Sequence, residues 1–239
     1  MIEPKELIGH ISGGRVLDVA TGSGGFIHFL LEGLKDYREI IGIDANERAA
    51  APFAEALKDT PGIRFEPMDA LHMSFPDASF DTVCIANSLH HFNDPQAVLC
   101  EMLRVLRPGG NFILAEMYCD GQAETQMTHV RLHHWWAAVD RTSGIVHNET
   151  YQRDQLVTMV TGLGIDNLAL HDLSDIEDDP LSAETLASLE PVLNRYIQRA
   201  EGFPDLQAHG EELRRSVQTI GFHGAASLLA IGTKTEACP

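Results

Sequence analysis

The segment Val16-Leu17-Asp18-Val19-Ala20-Thr21-Gly22-Ser23-Gly24-Gly25-Phe26 constrains the fold most, because a short apolar run leads directly into a glycine-rich turn and then a helix-like stretch. Glycine lacks a Cβ, so the backbone there can approach a ligand closely. The unpaired N–H groups that open the following helix, about Phe26 to Leu34, can face polar ligand atoms. This suits a nucleotide-type ligand, but a glycine-rich strand-to-helix turn without any such role is also common in α/β proteins.

The next segments favour a nucleoside. Ile40-Ile41-Gly42-Ile43-Asp44 is a second buried-strand pattern, ending in a carboxylate placed for ribose hydroxyls. Arg64 to Ala70 gives a third strand closing on Asp69, and Phe80 to Asn87 a fourth closing on Asn87. In a parallel sheet the carboxyl ends of the strands lie on one side, so Asp18 or its turn, Asp44, Asp69 and Asn87 should converge on one cleft.

With Val16 to Gly24, Gly42-Ile43-Asp44, Met68-Asp69-Ala70, Phe80-Asp81 through Asn87-Ser88-Leu89-His90-His91-Phe92, and Arg104-Val105-Leu106-Arg107-Pro108-Gly109-Gly110 in this order, the chain resembles the class I S-adenosylmethionine-dependent methyltransferases. The likeness is to the small-molecule type that includes the ubiquinone and menaquinone C-methyltransferases, and it spans about residues 15–117. It implies a doubly wound, mostly parallel seven-stranded Rossmann-like sheet whose last strand, Ala226 to Thr233, runs antiparallel beside strand five. It also implies S-adenosylmethionine as cofactor. Ala20, Thr21, Gly22 and Gly24 would pass beneath its methionine part, and Asp44 would bind both ribose hydroxyls. Asp69 would accept from the adenine amino group, the Ala70 N–H would reach a ring nitrogen, and Asn87 would sit near the sulfonium. Asp18, Ala45 and Ser88 complete the implied cofactor set. One departure is visible: Ala20 stands where the family often has its first glycine, which slightly narrows the approach.

A nicotinamide or flavin oxidoreductase would need a third glycine after Gly22-Ser23-Gly24, and that position is Ile27. The downstream His-His-Phe and Arg-Pro-Gly-Gly elements have no place in that fingerprint either.

A chain of 239 residues with 44% hydrophobic content can bury a full core as one domain. The expected organisation is a single methyltransferase domain over 1–239, with the cofactor half at about 15–117 and lid insertions at about 118–150 and 175–220. The excess of 35 acidic over 17 basic residues, a formal charge of −18, repels phosphate backbones and anionic membrane surfaces. Nucleic acid and membrane are therefore excluded as partners, self-association as a homodimer is left open, and no apolar run approaches the roughly twenty residues of a membrane span. Glu3, Pro4, Lys5 and Glu6 stand where a secretory signal would have a basic flank and apolar stretch, and Cys84, Cys100, Cys119 and Cys238 form no C-x-x-C pair. A reduced, cytoplasmic protein is expected. Cys84 reads as a small core residue, whereas Cys119 could line the cleft, with a buried inert thiol as the plainer use.

Helices are expected near Phe26 to Leu34, Glu47 to Lys58 and Pro95 to Leu106, with Pro108-Gly109-Gly110 as a stop and turn before strand five, Asn111 to Glu116. A long helical pattern then covers Gly121 to Arg141. Thr150 is placed to cap a helix through Gly162, and Asn167 to Leu173 reads as a strand. Asp172 to Pro180 reads as a solvated acidic loop. Helices follow at Ala183 to Glu201, divided or kinked by Pro191, and at Leu206 to Thr219.

Acceptor chemistry must come from the strand ends and these insertions. At 100° per residue, His129, His133, Trp136 and Asp140 share one helix face within roughly 60°, and His134 points elsewhere. Three uses compete for this face. It can hold hydrogen-bonded core histidines. It can take the acceptor's proton, with Asp140 orienting an imidazole. Or it can bind a metal with Asp140 or His147 added, although no closed ligand set is evident and no metal ligand is assigned. His90 and His91 lie just beyond strand four, near the expected methyl group, and are catalytic or structural. Tyr118 and Tyr151 could also reach the pocket, and His28 reads as a helix residue near the cofactor. Absence of an Asp/Asn-Pro-Pro-Tyr/Phe element and of a cysteine cluster leaves a small, neutral or cationic acceptor. The expected function is methyl transfer to such a molecule, through O, N, S or carbon. The alternative is a cofactor-binding sensor or partner subunit without transfer.

Overall fold

The computed structural model describes residues 3–235, so Cys238 lies outside the described residues. Seven strands, β1 (Arg15–Val19), β2 (Glu39–Asp44), β3 (Ile63–Pro67), β4 (Phe80–Ala86), β5 (Leu106–Met117), β6 (Ile165–Leu173) and β7 (Ser227–Lys234), form one sheet in the order β3-β2-β1-β4-β5-β7-β6. The first five run parallel, and β7 lies antiparallel between β5 and β6. The order reverses between β1 and β4, the switch point where open α/β sheets receive ligands.

Buried runs explain the parallel core. Val16, Leu17 and Val19 of β1 and Ile40, Ile41 and Ile43 of β2 are all fully buried, because both sheet faces are covered. Alternate side chains divide between two cores: Leu17, Val19, Ile41 and Ile43 pack on one face, Val16 and Ile40 on the other. The surrounding helices are α1 (Pro4–Ile8), α2 (Gly25–Gly33), α3 (Ala50–Ala56), α4 (Pro95–Val105), α5 (Glu124–Thr142), α6 (Arg153–Thr161), α7 (Ala183–Arg199) and α8 (Pro204–Thr219). A third apolar core, including Leu132, Trp135, Val139, Leu193 and Leu213, joins α5, α7 and α8. The Trp135 indole N–H donates to the Leu206 carbonyl at 2.9 Å, which fixes α8 against α5.

Four local expectations are corrected. Pro108-Gly109-Gly110 is not a turn ahead of the strand but part of β5, where a register shift against β4 and a φ of +66° at Gly109 absorb the irregularity. Pro191 does not divide α7, which continues because buried Leu189 and Leu193 hold its apolar face while Pro191 points outward. Thr150 does not cap α6; its hydroxyl pairs with His134 Nε2 at 2.9 Å, and Gln152 precedes the helix, its N–H donating to Gln155 Oε1 at 2.8 Å. Asp172 belongs to β6 rather than the loop, held by Arg153 at 2.7 and 2.9 Å.

Candidate functional site

The glycine turn is fastened to the second strand before any ligand is considered. The Thr21 N–H donates to the Ile43 carbonyl at 2.9 Å, and the Gly22 N–H to Asp44 Oδ2 at 3.0 Å. The Asn46 N–H donates to Asp44 Oδ1 at 2.8 Å, so both carboxylate oxygens are oriented and each retains acceptor capacity. Gly22 (φ +53°) lines the cleft, and a Cβ there would meet no protein atom within 4 Å; the space it would enter is the cleft itself. Ala20 occupies the left-handed region at φ +54°, so alanine there is backbone strain rather than only a narrower approach.

A cleft of about 530 Å³ is lined by Ala20, Gly22, Asp44, Ala45, Asn46, Met68, Asp69, Ala70, Asn87 and Ser88, with His91, Phe92, Ile145 and Val146 closing it. Asp69 Oδ1 accepts from the Leu71 N–H at 2.9 Å, which turns the chain after β3. Asp18 and Thr21 line an adjoining space of about 420 Å³ that shares Ala20, Gly22, Asn87 and Ser88 with the cleft. Gly24 stands behind this surface against Leu57 and Phe53. Burial raises the Asp18 carboxyl to about 6, against hydrogen bonds from Thr21 and Cys84 that lower it.

Asn87 Oδ1 accepts from the Met117 N–H at 3.0 Å and clips β4 to β5. Asn87 also lines a side cavity of about 460 Å³ together with Phe26, Phe29, Phe222, Asp175, Asp178 and Asp179. That cavity and the cleft therefore meet at one residue, and nothing in the linear pattern joins the aromatic and acidic parts of its wall.

The histidines come together more closely than helix periodicity alone indicates. His129, His133 and Trp136 do share a face of α5, with ring centroids 6.0 to 6.2 Å apart. His129 Nδ1, however, accepts the Ala225 N–H at 2.9 Å, and burial holds the ring neutral, lowering it to about 4. His133 instead meets His90, from the 3-10 turn Leu89–His91, and His147, from the loop after α5, at 4.6 and 4.8 Å between centroids. Burial, reinforced by the other imidazoles, lowers His133 to about 2. His91 touches His147 at 4.2 Å and lies at about 4 through burial and its histidine neighbours. Asp140 does orient an imidazole, but that of His147, at 2.7 Å. Burial raises the Asp140 carboxyl, yet His147 and Arg199 outweigh it and hold the group below the usual range.

Glu116 was not readable as a site residue. Fully buried at the end of β5, it accepts from the N–H groups of Ser88 and Leu89 at 3.0 and 2.9 Å and from His90 Nδ1 at 2.6 Å. Its charge within the otherwise apolar run 112–117 was the available signal. His134 turns to Thr150, as its wheel position requires, and the Tyr151 hydroxyl donates to the Leu89 carbonyl at 3.3 Å. The Cys119 thiol is raised by burial and by Asp120, opposite to what a nucleophile needs.

Residues 17–114 match the family model for a methyltransferase domain. A demethylmenaquinone methyltransferase of Deinococcus radiodurans is 43% identical over 110 residues, which cover 43% of this chain and 42% of that protein. The ubiquinone/menaquinone biosynthesis C-methyltransferase UbiE of Geobacter sulfurreducens is 36% identical over 109 residues, 44% of this chain and 42% of the relative. The match thus spans less than half the length of these curated relatives. In three dimensions a putative methyltransferase from Bacillus halodurans aligns over 92% of both chains with a TM-score of 0.59 at 18% identity, a likeness of fold. The fold is the Rossmann-like one of such solved methyltransferases. Within residues 17–114 the chain is similar to the methyltransferase domain and to the ubiquinone/menaquinone C-methyltransferases.

Proposed function

We propose that this chain binds S-adenosylmethionine in the cleft at the β1–β4 switch point and transfers its methyl group to a small neutral or cationic molecule held in the side cavity. The observation that carries this reading is Asn87, which lines the cleft, the space beside Asp18 and the cavity alike. The cofactor supplies an electrophilic methyl on a sulfonium, so the protein's task is chiefly alignment. Asp44, with both oxygens aimed by backbone N–H groups, holds the ribose hydroxyls; Asp69 and Ala70 take the adenine edge, between Met68 and the Ile145-Val146 wall. Asp18 and Asn87 lie toward the methionine end.

Aromatic rings of Phe26, Phe29 and Phe222 opposite three aspartates suit an acceptor with an apolar body and no negative charge. His91 lines the cleft on the side of Val146, while His129 acts by holding Ala225 at the cavity wall. Helices α5, α7 and α8 serve as the cover that keeps water from the reacting atoms.

The test is incubation of purified protein with methyl-labelled S-adenosylmethionine and fractionated metabolite extracts. Label in a low-mass product together with S-adenosylhomocysteine is expected. Binding of both cofactor forms without transfer to any fraction would favour a sensor or partner subunit, and binding of neither would overturn the cofactor reading.

A further inference from the structure

We propose that His90, His133 and His147 form a binding site for one divalent first-row transition ion of the zinc class. The three rings come from a turn after β4, the middle of α5 and the loop before α6, yet one ligand atom of each lies within 4.8 Å of the others. All three residues are buried, at 1%, 9% and 4% exposure. His90 Nε2, His133 Nδ1 and His147 Nε2 have no hydrogen-bond partner among the described residues. Burying a polar atom unpartnered is unfavourable, and three such atoms in one cluster need a common partner.

The tautomers sharpen this. A carboxylate accepts, so Glu116 at 2.6 Å and Asp140 at 2.7 Å place the protons of His90 and His147 on Nδ1 and leave the lone pairs on Nε2. Neither ring then has an N–H to offer the other, and the single N–H of a neutral His133 could serve at most one of the two lone pairs. Carboxylates behind ligating imidazoles are the arrangement that fixes ring orientation and raises ligand basicity at metal centres. Here the carboxylates are themselves held, Glu116 by the Ser88 and Leu89 amides and Asp140 by Tyr196 at 3.2 Å and Arg199 at 2.6 Å.

Three imidazole nitrogens without oxygen ligands select zinc, nickel, cobalt or copper over calcium and magnesium. Bonds of about 2.0–2.1 Å in a tetrahedral set bring the nitrogens to about 3.4 Å apart, a small closure of the cluster, and leave one position for water or another ligand. His91 and Val146, each next in sequence to a ligand, line the cleft. The ion would therefore fasten α5 and the loop 144–149 to the turn after β4 at the cleft's edge.

The site stands independently of methyl transfer, and so does its test. Full-length protein stripped with chelator is titrated with Co²⁺ alone and followed by visible ligand-field absorption, then by displacement with Zn²⁺. One equivalent, with a tetrahedral or five-coordinate spectrum lost on adding Zn²⁺ and a higher melting temperature with either ion, is expected. His133→Gln removes a nitrogen that has no protein partner, so the variant should fold, as circular dichroism would verify, and bind Co²⁺ at least about a hundredfold more weakly. His147→Gln should do the same. Folded wild-type protein that takes up no stoichiometric Co²⁺, or both folded variants binding it as well as wild type, would overturn the proposal.

Discussion

Asp44 organises the ribose side of the cleft, since its two oxygens are oriented by accepting from Gly22 and Asn46. Asp44→Ala should weaken S-adenosylhomocysteine binding by about 1.5 to 3 kcal/mol, the scale of hydrogen bonds to a charged group. Calorimetry on the folded variant would decide it, and unchanged affinity would mean that the ribose lies elsewhere. Ala20 makes an opposite case. Its φ of +54° costs about 1–2 kcal/mol in a residue with a Cβ, while glycine loses about 0.4–1 kcal/mol through the freer unfolded chain. Ala20→Gly should therefore raise stability by about 0.5 to 1 kcal/mol in urea unfolding. Asp18 adds a pH dependence. Its folded value of about 6 lies above the unfolded 3.8, so the folded state holds the proton more tightly. Stability from this group is greatest below about pH 4, falls as pH rises to about 6, and is then flat, a span of about 3 kcal/mol. The advantage of Asp18→Asn over wild type should accordingly grow from pH 4 to 6 and level off above it; parallel stability curves would contradict the burial argument.

At the scale of elements, Gly210 tests how α8 meets α5. A Cβ there would come within 2.3 Å of the Trp135 ring and 2.9 Å of Ile197. Alanine favours a helix by about 0.5–1 kcal/mol over glycine, but overpacking costs about 1–3 kcal/mol. Gly210→Ala should thus destabilise the protein by about 1 to 2 kcal/mol in a denaturant titration. The same junction shows what the chain made legible. Asp44 ends β2, and Asp69 and Asn87 follow β3 and β4 within contiguous motifs, so the three could be assembled from strand ends alone. The histidine cluster could not, because a helical wheel compares only residues of one helix. It grouped His129 and His133 correctly, but it could not register that Ala225 occupies His129, nor that His90, His147 and Glu116 approach from other elements. Pro191 misled for a related reason: a lost backbone hydrogen bond is a local cost, and the buried leucines on either side of it are a tertiary gain.

The whole molecule consists of a sheet with a core on each face and a helical body with a core of its own. Helices α7 and α8 pack chiefly on each other and on α5, so their hold on the sheet passes through α5 and the segments around it. Gln126 donates to Ser174 at 2.9 Å and to the Gly224 carbonyl at 3.2 Å, and Thr125 pairs with His223 at 2.8 Å; with those of His129 to Ala225 and His134 to Thr150, these polar links bind the helical body near the cavity mouth. A unit with its own apolar core and a narrow polar attachment can open without unfolding the sheet, and segments that admit ligands are drawn from such units. Amide hydrogen exchange should therefore find α7 and α8 opening at a free energy lower than that of β1 and β4 by about 2 kcal/mol or more. Adding S-adenosylhomocysteine should slow exchange in the glycine turn and around Ile145 and Val146, which line the cleft, and leave α8 nearly unchanged. Equal protection of α7, α8 and the central strands would show instead that the helical body and the sheet unfold as one cooperative unit, and the acceptor would then need another way in.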